Sequence, residues 1–276
     1  MTTTHDAPDL SGLAGFRPQL IALDLDDTTL SHDDTVSERV VDAIAACTEL
    51  GIHVVAATGR SITTTIPICR AAGIPTWAVV SNGAMLASVE ADQPVDVISF
   101  DPTDLLLRIQ ELVPEASFGI ENTHGIFTTN RAFEHNALAM GIREVALEDM
   151  LHQQAIRLVI RSDAHLGSGL GHLIEELGLH SVVFGIAEVA WMDIGPYGVN
   201  KATMLARLCE RLDVDPARTV AIGDSMNDIE MLKWAGCGVL MGHATDEMRQ
   251  YADVVTGPER GAGVAQALEE IVRLTT

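Results

Sequence analysis

Short apolar runs at residues 20–25, 52–57 and 77–80 alternate with stretches of helical periodicity, and this rhythm leaves the chain very few folds. The runs are too short for helices and too apolar to lie half exposed, so they read as strands buried on both faces. Strand–helix–strand alternation brings such strands into one parallel sheet. The intervening helices are expected over 36–50, closed by Gly51, and over 62–72, where Pro67 should kink or split the helix. Apolar residues make up 47% of the chain and aromatics 4%, so the core is built from Ala, Val, Leu and Ile. That composition suits Ala-rich helices lying close on parallel strands.

Beyond Asn82 the rhythm changes. Short strand-like runs at 84–89, 95–100, 118–121, 126–128, 156–161, 182–186 and 189–194 surround helical stretches near 104–112 and 166–177, and they read as antiparallel and separate from the first sheet. The first rhythm then returns, with helices over 201–212, 228–235 and 264–274 and strands over 219–222 and 238–241. The expectation is a doubly wound, Rossmann-like α/β domain over residues 19–83 and 191–276. An α+β domain inserted over 84–190 interrupts it, and residues 1–18 form a loose tail.

The formal net charge of −22 disfavours a nucleic-acid backbone or an anionic membrane as partner. It would also repel a phosphate-bearing substrate, so any site for one must carry its own cation and basic side chain. Cys47, Cys69, Cys209 and Cys237 form no CxxC pair and read as buried free thiols in a reducing cytosol. The first 18 residues lack the basic and apolar regions of a signal peptide. No run approaches the ~18 apolar residues of a membrane span. A cytoplasmic protein is expected.

Two strand ends are acidic. Asp24 and Asp26 leave the first strand two residues apart, and Asp224, Asn227 and Asp228 follow the strand ending near Ile222. In open parallel sheets ligands bind at the carboxyl ends of strands. Carboxylates gathered there without Cys or His suit a hard cation, hence Mg²⁺. Thr58 and Gly59 end the second strand, where a hydroxyl and free N–H groups at a helix start can hold phosphate oxygens. Lys201 opens a helix and can supply the missing positive charge. Taken singly, each of these also fits a helix cap, an acidic turn or a solvated lysine.

Together, Asp24-Leu25-Asp26-Asp27-Thr28, Ala57-Thr58-Gly59-Arg60, Lys201 and Gly223-Asp224-Ser225-Met226-Asn227-Asp228 resemble the four ordered motifs of the haloacid dehalogenase (HAD) superfamily. The insertion after Ser81-Asn82-Gly83 resembles its Cof-like, type IIB phosphatases. The resemblance spans residues 20 to about 270. It implies a Mg²⁺-dependent phosphatase acting on a small phosphorylated metabolite, such as a sugar phosphate, through an aspartyl-phosphate intermediate. Asp24 would be the nucleophile and Asp26 the general acid and base. Thr58, Gly59, Lys201 and Asn227 would bind phosphate. The metal would be held by Asp24, the Asp26 backbone carbonyl and Asp224, with Asp228 in or just behind that shell. The chain departs from the family where relatives have Gly-Thr-Leu and it has Asp27-Thr28-Thr29. Rival readings are a phosphomutase, a glycosyl-phosphate-specific phosphatase, or a phosphometabolite-binding protein without turnover.

Other candidates read as packing or turns. These are His165, His172 and His180, the Gly167-Ser168-Gly169 turn, the loop residue His243, with the rim of the site as its alternative place, and the polar turn from Glu121 to Gly125, which reads equally as a hairpin turn or as a substrate-facing one.

Overall fold

The structure, a computed structural model, describes residues 8–131, 141–162, 179–186 and 189–276. The expected helix over 166–177, with His165, His172 and Gly167-Ser168-Gly169, lies outside them.

The chain opens with β1 (Leu20–Leu23), α1 (Glu38–Glu49), β2 (His53–Ala57), α2 (Ile62–Ala72) and β3 (Trp77–Val80), followed by β4 (Met85–Ser88) and β5 (Gln93–Val97). A second group holds α3 (Thr103–Leu112), β6 (Ser117–Asn122), β7 (Phe127–Thr129), β8 (Arg143–Glu144), α4 (Leu147–Met150), β9 (Ala155–Ser162), β10 (Leu179–Ile186) and β11 (Val189–Pro196). The chain closes with α5 (Lys201–Leu212), β12 (Thr219–Gly223), α6 (Ile229–Trp234), β13 (Cys237–Leu240), β14 (Val254–Val255) and α7 (Ala262–Thr275).

Eight strands form the first sheet, in the order β14-β13-β12-β1-β2-β3-β4-β5. It is parallel from β14 to β3, and β1 is paired on both sides, Leu23 standing beside Ile222 and Ala56. Alternation along the strands makes two cores. Ile21 and Leu23 pack with α1, α2 and α7, whereas Leu20 and Ala22 pack with α5 and α6. Helix α1 contributes Val40, Ala43, Ile44 and Cys47, the spacing of one helical face.

Three expectations are corrected. Helix α2 runs unbroken through Pro67, because Pro67 is exposed while Ile66 and Cys69 on either side are buried. The proline ring lies on the exposed face, and the buried face holds the helix together. Residues 85–97 were expected in the inserted domain, yet β4 and β5 extend the first sheet as antiparallel strands. The cause is Ser81-Asn82-Gly83, whose φ angles of 49°, 53° and 94° reverse the chain onto β3. Residues 8–18 are no loose tail. Asp9 bridges to Val255, and Leu13 is fully buried with Leu10 and Phe16 packed nearby.

The second sheet has the order β10-β11-β9-β6-β7-β8, antiparallel except for the β7–β8 pair. It extends to Pro196, beyond the expected boundary at 190, because β11 pairs with both β9 and β10 through Ile194. Helices α3 and α4 cover one face through Leu105, Leu106, Ile109 and Met150, packed on Phe118, Ile120, Leu158, Ile160, Met192 and Ile194. The two-residue period of a strand puts Glu121, Arg157 and Asp193 on the other face. That face meets the first sheet: Arg157 Nη1 donates to the Gly59 carbonyl at 2.8 Å, and Ser81 Oγ donates to Glu121 Oε2 at 2.8 Å. Among the described residues no helix is long and apolar enough to cross a membrane.

Candidate active site

The chain leaves β1 for β2 on one side and reaches β12 on the other, so the crevice of the sheet lies at the carboxyl end of β1. Asp24 extends that strand, its N–H donating to the Ile222 carbonyl at 2.9 Å, and is 3% exposed. The loop then curls back, with Thr29 Oγ1 donating to the Asp24 carbonyl at 2.5 Å and Leu30 N–H to the Leu25 carbonyl at 2.9 Å. Asp27 occupies the left-handed region at φ 58°. Glycine reaches that region freely and Asp tolerates it, and Arg260 Nη1 holds the Asp27 carboxylate at 2.6 Å. The departure from the family pattern is thus accommodated: Asp27 takes the left-handed position of the turn, and Thr29 closes it.

Lys201 is the first residue of α5, behind a capping box formed by Asn200 and Thr203. Its side chain is fully buried, with Nζ at 2.5 Å from Asp24 Oδ1 and 2.6 Å from Asp228 Oδ1. Burial pulls the ammonium down, but Asp228 and Asp24 outweigh it and hold Lys201 protonated. Burial pushes the Asp24 carboxyl well above the usual carboxylate range, Lys201 opposing and Asp228 adding to it. Asp228 Oδ2 accepts from the N–H groups of Asp224 and Ser225, each at 3.0 Å. This contact requires glycine at 223, where a Cβ would fall 2.5 Å from Asp228 Cγ. Asp224 accepts from Thr28 Oγ1 at 2.9 Å, and His243 Nε2 stands 3.4 Å from its other oxygen.

Asp24, Asp224 and Asp228 each offer an oxygen, all within 4.8 Å of one another. Oxygens on one Mg²⁺ stand at most about 4.2 Å apart, so a shift of a few tenths of an ångström fits the set to that ion. The side chain of Asp26 is elsewhere: Arg60 grips it with Nη2 at 2.5 Å and Nε at 2.9 Å.

Thr58 is fully buried and its Oγ1 accepts from the Arg60 N–H at 3.1 Å. Asn227 donates to Asn82 Oδ1 at 3.0 Å, and Gly59 packs against the same Asn82 amide. Above them opens a cavity of about 350 Å³, walled by Asp24, Asp26, Asp27, Gly59, Arg60, Asn82, Asp224, Ser225 and Asn227 from the first sheet's loops and by Arg157 and Asp193 from the second. Lys201, Thr58 and Asp228 do not border the cavity; they lie behind its wall. Arg60 and Asn82 gained no individual role from the sequence, though both stand inside quoted motifs. Arg157 and Asp193 carried a weaker signal, single charges interrupting alternating apolar runs.

A buried carboxylate cluster with a lysine thus stands at the switch point of a doubly wound sheet. The haloacid dehalogenase-like hydrolase family model matches residues 21–268, and the chain belongs to that family of enzymes. Three relatives are named phosphatases. The 5-amino-6-(5-phospho-D-ribitylamino)uracil phosphatase YitU of Bacillus subtilis is 27% identical, with 94% of this chain and 99% of that one aligned. Phosphoglycolate phosphatase of Natronomonas pharaonis is 30% identical over 90% and 96% of the two chains. Pyridoxal phosphate phosphatase YbhA of Escherichia coli is 27% identical over 90% and 96%. Among solved structures, a haloacid dehalogenase-like hydrolase from Bacteroides thetaiotaomicron shares the fold with a TM-score of 0.77, at 24% identity over 92% of this chain and 100% of that one.

Proposed function

We propose that the protein is a Mg²⁺-dependent phosphatase that cleaves a small phosphomonoester through a phosphorylated Asp24. The observation that carries this is the buried trio of Asp24, Lys201 and Asp228 at the mouth of β1, with Asp224 alongside. Asp24 and Asp224, with the Asp26 carbonyl, would hold Mg²⁺, which neutralises charge on the transferring phosphoryl oxygens. Asp228 has one oxygen on Lys201 and the other on two backbone N–H groups, so it acts from behind, fixing both.

A carboxylate oxygen of Asp24 attacks phosphorus while the ester oxygen leaves with a proton from Asp26. Water then attacks the phosphorus of the acyl phosphate, returns a proton to Asp26, and releases phosphate from Asp24. Lys201 favours the ionised form of Asp24 against the effect of burial and orients it. Gly59 and Asn227 border the phosphoryl site, with Thr58 beneath. Asp26 must turn from Arg60 toward the ester, so the two cannot remain in their present pairing through the reaction. The second sheet serves as a cap over the cavity, excluding water and contacting the leaving group.

The test is Asp24→Asn, which keeps shape and removes the attacking charge. Turnover should vanish, while rapid quench of the native protein should trap a single phosphate on Asp24. Retained turnover by a verified Asp24→Asn protein refutes the mechanism.

A further inference from the structure

The face that the second sheet turns toward the cavity carries a charge imbalance. Arg157 and Glu121 are direct partners on β9 and β6, and Arg157 Nη2 pairs with Glu121 Oε2 at 2.9 Å. The same Glu121 oxygen accepts from Ser81 Oγ, and Arg157 Nη1 donates to the Gly59 carbonyl. The guanidinium is therefore committed to Glu121 and to the phosphate-side loop. Asp193 on β11 has a longer ion pair, Oδ2 at 3.6 Å from Arg157 Nη1. Among the described residues nothing donates a hydrogen bond to its Oδ1, and the residue is 9% exposed.

Asp193 borders the 350 Å³ cavity and also a smaller one of about 30 Å³ behind it, shared with Ser81, Asn82 and Pro196. A buried acceptor without a donor is costly, and a donor that reaches it from the cavity offsets that cost. Among the described residues at this end of the face, the two carboxylates Glu121 and Asp193 stand against the one guanidinium of Arg157. The mouth this wall faces is lined by Asp26 and Arg60, which pair with each other, and by Asp27, which pairs with Arg260, so the excess charge is that of the wall.

Resting on the phosphatase reading, we propose that Asp193 is a specificity-determining residue that accepts a hydrogen bond from the leaving group. The preferred substrates are then monophosphates whose leaving group is uncharged or cationic and carries hydroxyl or amino donors. Leaving groups bearing a carboxylate or a second phosphate are turned away. Arg157 does not rescue such anions, because its charge is already shared between Glu121 and Asp193.

The experiment measures kcat/KM of the full chain in Mg²⁺ on sorbitol 6-phosphate, phosphoglycolate and p-nitrophenyl phosphate, for the native protein, Asp193→Asn and Asp193→Ala. The native protein should favour the polyol ester over phosphoglycolate by at least tenfold. Both variants should lower the polyol-to-aryl ratio by roughly tenfold or more, chiefly through KM, and raise the phosphoglycolate-to-aryl ratio, as loss of one charge-assisted hydrogen bond and one repulsion predicts. Native preference for phosphoglycolate overturns the inference whether or not the variants fold. So does an equal effect of the substitutions on all three esters, with the phosphatase reading standing. Failure of the native protein on every ester in Mg²⁺ refutes the phosphatase reading itself, and the inference falls with it.

Discussion

Lys201→Met should convert the site into one that depends on metal for its stability. Lys201 is fully buried between Asp24 and Asp228, which are 3% and 0% exposed, so its loss leaves two carboxylates without a counter-charge. Removing one partner of a buried ion pair costs about 3–5 kcal/mol. At about 2–4 °C per kcal/mol for a chain of this size, the melting temperature in EDTA should fall by about 6–20 °C. The pH dependence follows from the sign of the shift. Burial already raises the Asp24 carboxyl, and without the ammonium it rises further. A carboxyl raised in the folded state carries its penalty at pH values above the unfolded range near 4 and sheds it below. The gap between variant and native protein should therefore be widest at neutral pH and close as the pH falls toward about 4. Mg²⁺ supplies the missing charge, and at a hundredfold over its dissociation constant any ligand adds about 2.7 kcal/mol. With no ammonium to repel the cation, the variant should gain more from Mg²⁺ than the native protein does. Urea and thermal unfolding in EDTA and in Mg²⁺, at pH 5 and 7.5, measure all of this. Equal stability in EDTA at pH 7.5, or an equal gain from Mg²⁺, refutes the reasoning.

Asp26→Asn should slow hydrolysis of alkyl phosphates by roughly 10²–10⁴-fold, and the phosphorylation step with an aryl phosphate by much less, since a good leaving group needs little acid; pre-steady-state phosphate release separates the steps. Gly83→Ala puts a Cβ 1.9 Å from the Asn200 carbonyl oxygen at φ 94°, and should cost at least about 1–3 kcal/mol in a urea melt while lowering kcat through the displaced start of α5. The thiols of Cys47, Cys69, Cys209 and Cys237 are pushed by burial to about 11, 12, 11 and 11, so the native fold should resist maleimide at pH 7.5 and react at once in urea.

Much of the first sheet was legible because its signals are local. The runs ending at Ala57 and Val80 and the helix from Lys201 to Leu212 carry both periodicity and end signals, and the structure has them there. The motif residues were legible for a related reason, since a charge at the end of an apolar run has few purposes. The reversal at Ser81-Asn82-Gly83 was not, because non-glycine residues with positive φ give no reliable sequence signal. Placement of β4 and β5 followed from that one turn. Strand β14 has two residues, too few for any period to show. The pairing of Glu121 with Arg157 joins residues far apart in sequence, and no local pattern announces it. The hold of Arg60 on Asp26 is equally non-local: the two stand 34 positions apart.

The way β5 and β11 divide between the sheets also says where this protein can be taken apart. Cuts at 84 and 190 would strip two edge strands from the first sheet and detach β11 from β9 and β10. Working joints for a chimera lie between β5 and α3, and in the Tyr197–Asn200 turn ahead of α5. A graft made there carries Glu121, Arg157 and Asp193 as one transferable unit and leaves Asp24, Lys201 and Asp224 behind. Its polar contacts with the recipient include the Gly59 carbonyl and the Ser81 hydroxyl, which call for one backbone oxygen and one small alcohol. Recombination between relatives with different leaving groups then has to keep these points, together with the packing of Ile156 and Gly125 on the first sheet's side.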